Sequence, residues 1–381
     1  MKGFRRGGLY FFSDAFCGGV KKTPRARRTA LATEDRETKD FCFNKGWAVD
    51  YMQKMHSRLH VGGRALRAVL RRDQKELRLS NAQMSWLMQV TKAEMMCDSC
   101  ERAKVRKKHP KQQQRRRQRR KGAEVQEQRE GQEVAPNGLV ADTAGPNRRS
   151  LQGNKYVFVV VDKDSLSSYL LFGKSKSDAA PEIEENLPVW LEEMKSKPTS
   201  LQTDIGGEFM DQVFLQFLKE RGIRHKHTAR DSSCDIAEKR IDTLQTISRA
   251  QMNWAQCPEY MWQESHKYAN TVISFVPSAS DRLKGLSPWE KKKGVKPRTH
   301  LLQPFGCVAY AHIPKAHRNR QGGPVNRGRK CMFVGLSAEG ENDGYRLYDP
   351  ETKSFFHVKG DGSNGVTFDV HTPFWSEREK G

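Results

Sequence analysis

The stretch that most limits what this chain can fold into is one with nothing to build a core from. Residues 112–120 read QQQRRRQRR, and residues 101–121 hold twelve Lys or Arg against one Glu. A Glu- and Gln-rich run follows. So few apolar side chains cannot offset the entropy of ordering a chain. Residues 101–135 therefore read as a disordered basic linker. It serves either as a solvated spacer or as an arm for nuclear import or nucleic-acid contact. Folded structure is expected on both sides of it.

Before the linker, residues 1–45 form a basic, Gly-containing tail with no sustained apolar period. Its apolar patch, Leu9 to Phe12, is interrupted by Asp14, which argues against a signal peptide. Residues 46–100 read as a small helical unit in which Leu66, Val69 and Leu70 supply an apolar stripe.

After the linker, residues 136–275 alternate between strand and helix patterns. Residues 155–161, KYVFVVV, are a β-branched apolar run and predict a buried strand. Residues 168–172, 200–204 and 224–229 predict further strands. Helices are expected over 179–195, 211–221 and 236–254, the last with Asp235 as N-cap. This order implies an α/β fold, a mixed sheet with helices packed on it. Residues 276–299 read as a connector. Residues 300–375 carry short strands at 308–312, 330–334, 344–348, 354–358 and 366–370 between turn signals, the pattern of a small β-barrel.

The chain of 381 residues has 68 Lys plus Arg against 45 Asp plus Glu, a formal charge of +23. Such a balance points to a polyanionic partner, because basic side chains gain by releasing counterions from phosphates. The eight cysteines are scattered and only Cys97 and Cys100 lie close together, which fits a reducing compartment better than a disulfide scaffold. No stretch is long and apolar enough to span a bilayer, so no membrane role is expected.

Three acids stand out by context. Asp142 lies in ADTAGP, Asp204 in LQTDIGGEF and Glu238 in DIAEKR. Two of them would end strands and the third would sit in the first turn of a helix facing them. Carboxylates suit hard cations such as Mg²⁺ or Mn²⁺. Two such ions in one site can assist both the attacking and the leaving oxygen of phosphoryl transfer. A second group suggests a different metal. His56 and His60 stand one helical turn apart and Cys97 and Cys100 form a Cys-x-x-Cys knuckle, together the donor set of a closed structural Zn²⁺ site. His225 and His227 alternate along a predicted strand and are assigned no metal role.

These motifs resemble the integrases of Copia-type LTR retrotransposons, within the retroviral integrase superfamily. The similarity covers roughly residues 46–375 apart from the basic insert. Asp142, Gly145 and Pro146 match the family's Asp-x-x-Gly-Pro, and residues 203–209 its Thr-Asp-x-Gly-Gly-Glu-Phe. Ala237 to Arg240 with Thr243 and Leu244 match the segment around its third acid. Pro304-Phe305-Gly306-Cys307, residues 330–335 and residues 344–350 match further signatures. The resemblance implies a ribonuclease-H-like core, a preceding His-His-Cys-Cys zinc domain and a trailing Src-homology-3-like β-barrel. It also implies metal-dependent DNA 3′-end processing and strand transfer by Asp142, Asp204 and Glu238, and a homo-oligomer acting on retroelement ends and target DNA. The expected location is the nucleus, with a cytoplasmic stage in retroelement particles.

The chain departs from the family in places. The step from Asp204 to Glu238 is 34 positions, shorter than the family's, and the loss falls in the loop before Glu238. The family's Gly before the second zinc histidine is missing. These departures keep two other readings open: a catalytically silent nucleic-acid-binding derivative, and a ribonuclease-H-like nuclease. Candidate phosphate contacts are Lys239, Arg240 and Arg249, with the lysines at 291–293.

Overall fold

A computed structural model describes residues 4–6, 9–11, 44–105, 137–194, 196–203, 209–227, 235–312, 327–337, 344–359 and 365–376. Most of the basic linker, Asp204 and the loop preceding Asp235 lie outside the described residues. In the N-terminal tail, β1 (Phe4–Arg6) and β2 (Leu9–Phe11) pair as an antiparallel hairpin.

Four helices follow. The first, α1 (Lys45–Leu59), begins at Asn44, whose side chain accepts from the Trp47 N–H at 3.0 Å. Next, α2 (Gly63–Arg72) buries Leu66, Val69 and Leu70, the stripe read from the sequence. A reciprocal cap between Ser80 and Gln83 opens α3 (Asn81–Gln89). The short α4 (Asp98–Lys104) starts directly after Cys97.

The central unit is a mixed sheet between two helical layers. Its strands are β3 (Leu139–Ala144), β4 (Tyr156–Asp162), β5 (Ser168–Gly173), β6 (Ser200–Thr203) and β7 (Arg224–His227), in the order β5-β4-β3-β6-β7. The pairs β5-β4 and β4-β3 are antiparallel, while β3-β6 and β6-β7 are parallel. This is the ribonuclease-H-like mixed α/β architecture that the strand and helix pattern predicts. Period two along the strands sorts the core into two faces. Leu139, Ala141, Phe158 and Val160 meet α5 (Ala179–Glu193) and α6 (Gln212–Glu220) through Ile183, Leu187, Phe214 and Leu218. Val140, Ala144, Val157, Val159 and Val161 meet α7 (Asp235–Ala255) and α8 (Trp262–Phe275) through Ala237, Ile241, Leu244 and Val272. Burial of β4 on both faces explains why it reads as an unbroken apolar run.

The α7–α8 seam is polar at one point. Ser248 hydroxyl donates to Ser265 at 2.9 Å, and the Nδ1–H of His266 donates to the Trp262 carbonyl at 2.8 Å. Burial pushes His266 down to about 4, against the carbonyl, which raises it. The folded chain therefore refuses a proton that the unfolded chain takes up near 6.5. The stability this represents is present above about pH 6.5 and is lost as pH falls toward 4. Urea unfolding of the wild type should weaken over that window by up to about 1.4 kcal/mol per pH unit more than that of His266→Gln. Parallel curves for the two proteins would contradict the assignment.

After the connector helix α9 (Pro288–Lys293), five strands form an antiparallel sheet. They are β8 (Cys307–His312), β9 (Gly328–Leu336), β10 (Gly344–Asp349), β11 (Ser354–Lys359) and β12 (Val366–Pro373), in the order β11-β10-β9-β8-β12. The turn before this sheet touches the core at Gly306. Its φ is +78°, and a Cβ there would collide with the Cβ of Ala255 at the end of α7.

Charged groups tie the three parts together. The Arg72 guanidinium bonds Asp73 with both prongs, at 2.6 and 2.8 Å, and reaches the Phe275 carbonyl at 2.7 Å and Glu290 at 3.2 Å. Glu264 of α8 is 1% exposed and accepts from Arg346 of β10, from Lys267 at 3.2 Å and from Gln152 at 2.9 Å. Removing one partner of such a buried pair strands the other charge. Glu264→Ala should cost roughly 3 kcal/mol in urea unfolding. The Glu264→Leu, Arg346→Met double variant should recover most of that loss. A double variant as unstable as the single one would refute the pairing argument.

Candidate active site and metal centre

Asp142 lies on β3 between Val140 and Ala144, and strand alternation gives it their face. That is the face covered by α7, because Val140, Ala144 and Ala237 share one buried cluster. Its carboxylate Oδ1 accepts from the Thr143 N–H at 2.8 Å. Glu238 sits in the first turn of α7, one residue past buried Ala237, and is exposed. Asp142 and the helix that carries Glu238 thus occupy the same flank of the sheet. Asp204 lies outside the described residues. The residue before it, Thr203, ends β6 fully buried, and its hydroxyl contacts His225 Nε2 at 3.0 Å. Burial, then neighbouring His227, pushes His225 down to about 4.

The helix α7 starts at Asp235 itself, so Asp235 opens the helix and is not the residue before it. Among the expected phosphate contacts, Lys239 and Arg249 are exposed. Arg240 behaves differently. Its guanidinium donates to the Leu166 carbonyl at 2.6 Å, and burial pushes it down to about 10. What the structure records for this side chain is a tie between α7 and the β4–β5 turn, because a single N–H on an inner carbonyl draws the group in. The lysines of α9 also have partners in the chain. Lys291 pairs with Asp164 at 3.4 Å, Lys293 with Glu193 at 3.7 Å, and Lys292 with Glu193 as well. Beside Lys239 opens a cleft of about 720 Å³ that Lys104 and Arg282 also line. Lys104 belongs to the basic run read from the sequence, whereas no local signal marked Arg282.

The second cluster lies at the junction of the helical unit and the core. His56 lies in the last turn of α1, whereas His60 is the residue just beyond the helix, in left-handed conformation at φ +50°. The two histidines are therefore not on one helix, as their spacing predicts. The turn back at His60 still brings its ring beside His56, with centroids 5.5 Å apart. Cys97 caps α4 and Cys100 lies in its first turn. One donor atom from each of the four lies within 4.8 Å of all the others. Cys100 Sγ is 3.2 Å from His56 Nε2 and 3.4 Å from His60 Nδ1, and Cys97 Sγ is 3.9 Å from His60 Nδ1. A tetrahedral ion with ordinary Zn–S and Zn–N bonds would set its sulfur and nitrogen ligands about 3.6 Å apart. The donor set and spacing fit that ion.

Electrostatics agree with the geometry. Burial holds His60 below the ordinary imidazole range, so it keeps the free lone pair that a metal needs. The hydrogen bond from Cys100 and those from the histidines draw Cys97 below the usual thiol range, while the same bond and burial raise Cys100. The far ring nitrogens, His56 Nδ1 and His60 Nε2, are buried without a hydrogen-bond partner among the described residues.

Comparison with known proteins adds to the motifs. Residues 307–379 match the retroviral polymerase SH3-like domain. The chain is 28% identical over 218 residues to the retrovirus-related Pol polyprotein from transposon TNT 1-94 of Nicotiana tabacum, over 56% of this chain. It spans 16% of the length of that polyprotein. Among solved structures, the HTLV-2 integrase catalytic core domain in complex with magnesium is 16% identical, with a TM-score of 0.33, over 42% of this chain and 99% of its own. A chain of the simian T-cell lymphotropic virus intasome is 14% identical, with a TM-score of 0.40, over 84% of this chain and 98% of its own. The SH3-like match and the transposon polyprotein agree with the acidic motifs: the chain is similar to the integrases of Copia-type retrotransposons, within the retroviral integrase superfamily.

Proposed function

We propose that the chain is a polynucleotidyl transferase that processes retroelement DNA 3′ ends and joins them to target DNA, using Asp142, Asp204 and Glu238. One observation carries this reading: Asp142 and the helix bearing Glu238 share one flank of the sheet. The strand register supports it further. Val140 pairs with Gln202, and Asp142 and Asp204 each stand two residues further along the sequence.

Divalent ions held by these carboxylates would supply the charge that activates an attacking oxygen and stabilises a leaving one. The protein's own part is placement. A strand and a helix fixed by a common core deliver oxygen ligands from two directions, and hard cations prefer oxygen. Lys239 and Arg249 present charge along the same helix, where phosphates would pass without their bases being read. The donor set of His56, His60, Cys97 and Cys100 would hold a structural Zn²⁺. DNA and further copies of the chain are the proposed partners, and the nucleus the proposed place of action.

The test is strand transfer of a labelled DNA end with Mg²⁺ or Mn²⁺, wild type beside Asp204→Asn. Product from the wild type alone is expected. Equal product from both would sink the assignment.

A further inference from the structure

We infer that α4, the helix bearing the cysteine pair, braces α7, so that metal binding at the four-residue cluster and the placement of Glu238 are coupled through one helix–helix seam. The inference rests on the metal reading of that cluster. The seam itself is a direct observation. Cys100 and Ala103 of α4 and Ala250 of α7 form one buried cluster, with Cys97 against it. Asn253 of α7 donates to the carbonyl of Ser99, the residue between Asp98 and Cys100, at 3.4 Å. Both sides of the contact are small residues, so the helices approach closely and a longer side chain has nowhere to go.

The helix α4 has seven residues, too few to hold itself by its own hydrogen bonds. What fixes it is the ends of its two cysteine side chains. Cys100 and both imidazoles are buried and Cys97 is half-buried, and the donor atoms that face one another, the two sulfurs with His56 Nε2 and His60 Nδ1, lie within one ion's reach. One ion satisfies four donors together. Without it the polar groups gain by opening toward solvent. Opening moves α4, and α4 lies along the C-terminal half of α7. Glu238 stands twelve residues earlier on that helix, about 18 Å away at 1.5 Å per residue. A continuous helix carries the displacement, and the coupling runs both ways. Ala250 and Asn253 are accordingly positioning residues, since they act through the helix and touch no reacting atom.

Hydrogen exchange on the full chain tests this. Removing zinc with a chelator should speed exchange in α7 by about tenfold while β4 stays protected. Zinc-loaded Ala250→Gln should reproduce the α7 effect with its metal content unchanged, and Ala250→Ser should match the wild type. Ala103→Gln brings the same bulk from the α4 side and keeps the test open should Ala250→Gln unfold the chain, which loss of β4 protection would reveal. A chain that binds zinc but shows the same α7 exchange with and without it overturns the coupling. A chain that takes up no metal overturns the metal reading instead.

Discussion

Asp142→Asn and Glu238→Gln should each lower strand-transfer product by at least ~100-fold, while leaving the fold intact. Each exchange removes one negative oxygen and keeps the shape. Losing a few kcal/mol of transition-state stabilisation is worth that factor, at about 1.4 kcal/mol per tenfold. Stability should change little, because Glu238 is exposed and Asp142, which lies inside β3 two residues before its end rather than at the end its motif predicts, is half-buried. Circular dichroism and urea midpoints near the wild-type values would separate chemistry from unfolding. A variant that folds and joins DNA as the wild type does would remove that carboxylate from the mechanism.

The second large effect concerns zinc. The wild-type chain should carry about one Zn²⁺, and Cys97→Ser with Cys100→Ser should carry none. Binding energies of structural zinc in small domains are on the order of 10 kcal/mol, so its loss should melt much of the helix between Lys45 and Lys104. Acid should do the same, because imidazoles and thiols must be deprotonated to bind. Burial already holds His60 in its neutral form, which shifts the onset of that loss to lower pH. A metal-free chain with undiminished helix content would contradict the prediction.

Much of the architecture was legible from local pattern. The run at 155–161 gave β4 because both of its faces are covered, and the helices of the core followed from apolar spacing such as Ile183, Leu187 and Trp190. The three acids stand out through their motifs, and the fold adds that Asp142 and the helix bearing Glu238 share one flank of the sheet. What pattern could not give was contact between distant segments. Glu264 and Arg346 are 82 positions apart, and neither neighbourhood hints at the other. Arg240 read as a phosphate contact because it adjoins Glu238, and only the fold shows the Leu166 carbonyl beside it. His60 read as helical by its spacing from His56, but the left-handed turn that ends α1 decides its direction. The docking of α4 on α7 rests on Ala250 and Ala103, small residues that carry no signal of their own.

The closeness of Gly306 to Ala255 has a wider consequence. Along α7 the proposed catalytic glutamate stands near one end, the cysteine-bearing helix leans on the C-terminal half and the turn leading into the terminal sheet abuts the last residue. Each residue of a helix turns the chain by about 100°. A single deletion between Glu238 and Ala255 would swing one attachment out of line with the other two. Evolutionary gain or loss of residues should therefore be barred from this rod and tolerated in the loop leading into it.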